Sequence, residues 1–309
     1  MRSVEKALRS SHLTRGPLTE QFEEELAALV GKRFCLAFCN GTAAIYAAAK
    51  TYPDEAFNTS DVTFISVRNA LRKAGKSVEA EPTEPDHFCS YEQGPPAVIN
   101  DMGGFVPGGY KSIEDASHSL GNPEVGKDAQ VVVGSLHAIK NLGIGEGGFA
   151  ATDDEHRHLI MKDIRNMGRD MGNEEFNFHP NELSCSLGLS RMKRLDDDQA
   201  YKMLLVVGEY RKKLEGVVTF QYWGDQSVNP HLFLVRSPRA SKIEHEFRKS
   251  NIQFIKHYKP LSIQGTNESP VARGNTESFK YWQECFTLPM WVGMRDQEID
   301  RVVEAVKRA

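Results

Sequence analysis

The chain has 309 residues, 40% hydrophobic and 26% charged, an ordinary make-up for a globular protein and enough for one large domain with a smaller one. A formal net charge of −4, with no basic stripe on any helix-like segment, excludes an electrostatic nucleic-acid binder. Five scattered cysteines (Cys35, Cys39, Cys89, Cys185, Cys285), no CxxC and no long apolar span argue against a disulfide framework, a zinc site and a membrane span. The expectation is a soluble, cytoplasmic protein without a bound metal.

In chain order, "SVEKALRSS" and "PLTEQFEEELAALVG" read as helices, the second with Thr19 as N-cap and Gly31 as its close. "FCLAFC" reads as a strand running into the alanine-rich helix "NGTAAIYAAAKTY". "DVTFIS" (strand), "VRNALRKAGK" (helix), "SVEAE", "PAVIND" and "YKSIEDA" (strands) follow, then a strand pair, "AQVVVGSL" and "GFAATDD". Such alternation predicts an α/β domain with a mostly parallel sheet. Beyond about Asp153 come the long helical patterns "EHRHLIMKDIRNMG" and "NELSCSLGLSRMKRLDDDQAYKMLLVVGEYRKKLEG". The strand-like "VVTFQYW", "HLFLVRS" and "IQFIKHY" and a closing amphipathic helix complete a smaller α+β unit. The expected division is residues 1–205 and 206–309, inside the long helix.

Four features fall at the predicted carboxyl edges of strands in one sheet, where α/β proteins bind ligands. Asn40-Gly41-Thr42 opens a helix whose free N–H groups and dipole would cradle a phosphate; read alone it is also a plain Asn-Gly turn. Phe64 ends "DVTF", where an aromatic face stacks on a flat ring or fills a core. Asp115 ends a strand, able to hold a ring nitrogen protonated or to cap a loop, with Glu114 on the opposite face. Lys140 stands between two core strands, in "GSLHAIKNLGIGEGG", where low-dielectric surroundings would lower its pKa and free a nucleophilic amine; read alone it is also a plain solvated loop lysine. Together these describe a site for pyridoxal 5'-phosphate.

On "CNGTAAIYAA", "IEDASHSLG", "GSLHAIKNLGIGEGG", "RNMGR", "IKHYKPL" and "FTLPMWVGM", the sequence resembles the DegT/DnrJ/EryC1/StrS sugar aminotransferases nearly end to end. The resemblance implies a fold-type I enzyme with a mostly parallel seven-stranded sheet and a smaller C-terminal α+β domain. It makes Lys140 the Schiff-base lysine and Asp115 the partner of the pyridine nitrogen. It puts Phe64 and His118 against the ring, and Gly41, Thr42 and Ser135 on the phosphate. It implies that Asn177 reaches the phosphate of a neighbouring subunit, hence a homodimer, and that His257 and Tyr258 face the substrate. The implied reaction moves an amino group from an amino acid, by resemblance glutamate, to a keto carbon of a nucleotide-linked sugar. A keto-cyclitol acceptor, a sugar dehydratase and a cofactor-binding regulator without turnover stay open. Arg15, Arg68 and Arg169 are alternatives for the donor carboxylate. Three departures stand out: His179-Pro180 for Arg-Met, Leu136 for Phe, and "DMGGFVPGGYKS" where the family has room for a crossover helix.

Overall fold

The computed structural model describes residues 2–83, 96–193, 195, 197–226, 228–264 and 276–309; Cys89 lies outside them. The amino-terminal half comprises helices α1 (Arg2–Arg9) and α2 (Pro17–Leu29), strand β1 (Phe34–Phe38), α3 (Gly41–Lys50), β2 (Ala56–Ser60), α4 (Ile65–Lys73), β3 (Ser77–Glu81), β4 (Ala97–Asn100) and β5 (Lys111–Asp115). Then come β6 (Ala129–Ser135), β7 (Gly148–Thr152), α5 (Glu155–Arg165), α6 (Glu182–Met192) and α7 (Asp197–Leu214). The rest comprises β8 (Thr219–Phe220), β9 (Phe233–Arg236), α8 (Ala240–Lys249), α9 (Thr276–Glu284), β10 (Cys285–Leu288) and α10 (Asp296–Arg308).

Seven strands form one sheet in the order β1-β7-β6-β5-β4-β2-β3. The five from β6 to β3 are mutually parallel, and β7 runs antiparallel to both β1 and β6. Helices cover both faces, which is why β4 and β5 are buried along their whole length. On one face α3 packs through Ala43, Ala44, Ala47 and Ala48, whose small side chains let the helix lie close to Val131, Val133 and Ala150. On the other, Phe22 and Leu26 of α2 and Cys185 and Leu189 of α6 cover Cys35, Val132 and Phe149. A second sheet, β10-β9-β8, is antiparallel and shares a core with α7, α8 and α10 around Tyr210, Phe233, Phe247 and Phe286. This is the predicted architecture of a large, mostly parallel sheet with a smaller α+β unit. Among the described residues no helix is long and apolar enough to cross a membrane.

Four local expectations need correction. Pro17 takes the first helical position of α2, so Gly16 is the N-cap and Thr19 lies inside the first turn. The buried carboxylate of Glu182 replaces a local cap. It accepts from the N–H groups of Gly16 (2.9 Å), Leu18 (2.8 Å) and Thr19 (3.1 Å) and from the Thr19 hydroxyl (2.5 Å). Because that one side chain satisfies the otherwise orphaned N–H groups of Gly16 and Leu18 and also holds the Thr19 hydroxyl, Glu182→Ala is expected to lower the unfolding free energy by about 3 kcal/mol, read as a urea midpoint shift. An unchanged midpoint would contradict this role.

The strand expected at "DVTFIS" is instead "AFNTS", one step earlier. Its Thr59 and Ser60 are buried because Thr59 Oγ1 donates to the Val98 carbonyl and Ser60 pairs with Thr83 Oγ1. Phe64 therefore does not end a strand; it is the N-cap residue of α4. "IQFIKHY" forms only a single bridge, Ile255 to Thr287. The helical pattern from Asn181 to Gly216 is two helices, α6 and α7, with a break after Met192.

The short connection from β4 to β5 carries a single 3-10 turn, Met102–Gly104, in place of the helix that parallel strands usually need. The smaller unit covers it. Gln221 Nε2 donates to the Met102 carbonyl at 2.9 Å, the His231 N–H to the Gly103 carbonyl at 3.4 Å, and Gln226 bonds Val106 on both its N–H and C=O. Met102 and Phe105 are buried in the smaller unit's core. A Cβ at Gly103 would stand 2.4 Å from Gln221 Oε1, and its φ is +69°, so glycine is required there.

Candidate active site

At the carboxyl edge of the sheet α3 begins. The Asn40 side chain accepts from the Ala43 N–H at 2.9 Å, which sets the helix start. Among the described residues the N–H groups of Gly41 and Thr42 then have no acceptor, at the positive end of the helix dipole. Two glycines let this terminus sit against the strands. A Cβ on Gly41 would lie 3.0 Å from Ser135 Cβ, and one on Gly148 would lie 2.4 Å from the Asn40 carbonyl. The Ser135 hydroxyl accepts from the His137 N–H at 3.3 Å and borders the same space.

Asp115 ends β5, level with Asn100 of β4 and Val133 of β6. Its Oδ1 accepts from the Ser117 N–H (3.1 Å) and hydroxyl (2.6 Å), and the Ser117 hydroxyl accepts from the Ser135 N–H (2.9 Å). Asp115 is thus held rigidly, with Oδ2 outside this set of bonds. Burial raises its pKa, while the Ser117 bonds and the Lys140 charge oppose that rise. Glu114 does turn to the opposite face, where it pairs with buried Lys111 at 3.0 Å and accepts from the Gly126 N–H.

Lys140 lies in the β6–β7 loop. That loop is closed by the Ala138 N–H to the Gly145 carbonyl (2.8 Å) and the Ile144 N–H to the Leu136 carbonyl (2.9 Å). Among the described residues its ammonium makes no ion pair; burial lowers its pKa to about 8, against an opposing pull from Asp115. Over it stand three neutral imidazoles. Burial and the Lys140 charge hold His118 and His231 well below the ordinary range and His257 at about 4. His118 is bonded at both ring nitrogens, by the Gly103 N–H at 3.4 Å and by Tyr258 Oη at 3.1 Å. Phe64, half exposed, leans over the opening with its ring 5.6 Å from that of Tyr258.

One cavity of about 360 Å³ is lined by Lys140, Asp115, Gly41, Thr42, Phe64, His118, Ser135, His257 and Tyr258, nine of the ten residues singled out from the sequence. Asn177 is not among them. It bridges Asn166, and its side chain accepts from the His179 N–H at 3.1 Å. Among the described residues no arginine lines the cavity: Arg68 donates to the Leu261 carbonyl at 2.9 Å, and Arg15 and Arg169 are exposed on other segments. Sequence reasoning missed Ser117, which "DAS" could have signalled as an acid followed two residues on by a hydroxyl. It also missed Asn100 and Glu146 of the lining, and His231, whose ring lies 4.8 Å from that of His118.

The donor set suits a phosphorylated pyridine aldehyde. Two uncommitted N–H groups and two hydroxyls would take the phosphate, the open Asp115 oxygen the ring nitrogen, and the unpaired Lys140 amine the aldehyde carbon.

The sequence model of the DegT/DnrJ/EryC1/StrS aminotransferase family matches residues 1–94 and 108–307, leaving out 95–107, most of the short β4–β5 connection. A spore coat polysaccharide biosynthesis protein, SpsC of Bacillus subtilis (strain 168), is 26% identical over 372 aligned positions, covering 99% of this chain and 93% of SpsC. That alignment is longer than this chain, so internal segments of SpsC have no counterpart here. The UDP-4-amino-4,6-dideoxy-N-acetyl-beta-L-altrosamine transaminase of Campylobacter jejuni (serotype O:2) is 26% identical over 230 positions, 63% of this chain and 61% of that protein. The crystal structure of NtdA from Bacillus subtilis with bound cofactor PMP superposes with a TM-score of 0.87 at 22% identity, covering 99% of this chain and 80% of that one. The chain belongs to the DegT/DnrJ/EryC1/StrS aminotransferase family.

Proposed function

We propose that this chain is a pyridoxal 5'-phosphate-dependent aminotransferase that moves an amino group from an amino acid, glutamate in our reading, to a keto group of a nucleotide-linked sugar. The observation that carries this is the unpaired, largely buried Lys140 amine beside Asp115, in one cavity with the open α3 terminus. The C. jejuni relative, a transaminase named for a UDP-linked amino sugar, supports the acceptor class. Bound there, the cofactor supplies an electron sink and carries the amino group between the two half-reactions. Gly41, Thr42 and Ser135 hold its phosphate, Asp115 keeps the ring nitrogen protonated, and Phe64 and His118 flank the ring. Lys140 Nζ takes up and returns the donor Cα proton, a task suited to an amine that titrates near the working pH. His257 and Tyr258 face the sugar.

Among the described residues the cavity holds no arginine, so the anionic donor and substrate groups need charge from elsewhere. In our reading Asn177 faces the corresponding cavity of a second copy, and the working unit is a cytoplasmic homodimer. The division at 205/206 belongs to the same reading, with 1–205 holding the cofactor. A dehydratase reading is less favoured, because a lysine stands where such relatives carry a histidine.

The test is to load purified protein with pyridoxal 5'-phosphate, follow its visible absorption on adding glutamate, and then supply keto-sugar nucleotides. Bleaching by glutamate and recovery with one acceptor is the expected result. A spectrum indifferent to every amino donor would contradict amino transfer. The rate of covalent cofactor attachment to the apoprotein should rise with pH through about 8 and level off above it, as Lys140 loses its proton. A rate still climbing as steeply at far higher pH would mean that the lysine is not perturbed.

A further inference from the structure

The short β4–β5 connection reaches the cavity through one hydrogen bond. The Gly103 N–H donates to His118 Nδ1, and Nδ1 therefore carries no proton. The ring is buried and neutral, so its single proton sits on Nε2 and is donated to Tyr258 Oη, 3.1 Å away. With its oxygen accepting there, the Tyr258 hydroxyl must direct its own hydrogen elsewhere. Tyr258 lines the cavity with Lys140 and Asp115 and has no other recorded hydrogen-bond partner among the described residues.

We propose that Gly103, His118 and Tyr258 form a fixed relay that makes Tyr258 an obligate hydrogen-bond donor to an oxygen of the keto-sugar acceptor, and so a specificity-determining residue. The identity of the ligand rests on the amino-transfer reading; the direction of the relay does not.

Gly103 belongs to the stretch that the family model leaves unmatched. Its N–H is held in place by its positive φ, by Gln221 packed against its Cα, and by its carbonyl accepting from His231. The His231 ring lies 4.8 Å from that of His118, tilted by 51°. Burial pushes the Tyr258 phenol up, so it stays protonated and can serve as a donor throughout the neutral range. A site that presents a committed donor rejects an analogue lacking the oxygen, because the buried hydroxyl would be left unpaired.

Long-range proton–nitrogen NMR of the apoprotein, with His118 assigned by its absence in His118→Gln, tests the relay without any turnover. The expected ring has Nε2 protonated and Nδ1 bare; a ring protonated at Nδ1 overturns the relay. Kinetically, Tyr258→Phe should raise KM for the sugar acceptor about tenfold, more than KM for the amino donor. His118→Gln still donates to Tyr258 and should raise acceptor KM less than His118→Glu, which can only accept and would turn the hydroxyl around. Equal acceptor KM in Tyr258→Phe and wild type, or the reverse order of the two His118 variants, overturns the donor role. Should wild type turn over no keto sugar, the amino-transfer reading fails while the ring tautomer still decides the relay.

Discussion

Replacing Lys140 by alanine should lower kcat for amino transfer by roughly 10⁴-fold or more, with no loss of fold. Among the described residues Lys140 is the one lysine lining the cavity, so attachment of the cofactor and movement of the donor Cα proton both go with it. Among the described residues its amine makes no ion pair or side-chain hydrogen bond, so removing it breaks no such contact. The stability effect has a definite sign. The folded pKa, about 8, lies below the ordinary lysine value of 10.5, so between these values the unfolded chain binds more protons. Wild-type stability therefore gains from Lys140 as pH rises from about 8 towards 10.5, and below that window the buried charge opposes folding. Lys140→Met should match or exceed wild type in thermal midpoint at neutral pH. A clearly lowered midpoint would show that Lys140 has a structural role that the geometry does not reveal.

Asp115→Asn should lower kcat by about 10³-fold while leaving the cofactor bound. The substitution keeps the shape and one carbonyl oxygen for the Ser117 bonds, so the end of β5 should hold its form. What it removes is the negative charge that keeps a ring nitrogen protonated. Steady-state rates with saturating cofactor, together with the absorption spectrum of the bound cofactor, measure this directly. A loss smaller than about tenfold would mean that Asp115 only shapes the loop through Ser117.

The site was legible in the sequence to the extent that it lies on strand ends. Lys140 follows the β-branched strand β6, Asp115 closes a strand around Ile113, and Asn40-Gly41-Thr42 joins a strand to a helix, so the order of elements placed all three on one edge. The strand before Phe64 was misplaced because β2 carries Asn58, Thr59 and Ser60 inside the sheet. The polarity of Thr59 and Ser60 is met by partners distant in the chain, Val98 and Thr83, that a single sequence does not show. Phe64 still arrived at the cavity because the loop after β2 is pinned: Asp61 accepts from the Ser262 N–H and hydroxyl of the smaller unit. The break between α6 and α7 has neither glycine nor proline to mark it. Ser117, Gly103 and His231 act through contacts between distant segments, which only the folded chain reveals. The gap in the crossover was visible as a run of glycines too short for a helix. That the smaller unit covers it, and that its Gly103 N–H bonds a histidine of the cavity wall, was not.

The measurement that bears most directly on the central claim is borohydride reduction of the cofactor-loaded protein, followed by peptide mapping by mass spectrometry. A lysine attacking the cofactor's aldehyde is fixed irreversibly by the reduction. This account predicts one phosphopyridoxyl group per chain, on the peptide that contains Lys140, and none in Lys140→Ala. Label on another lysine, or stoichiometric cofactor binding with no label at all, would contradict it.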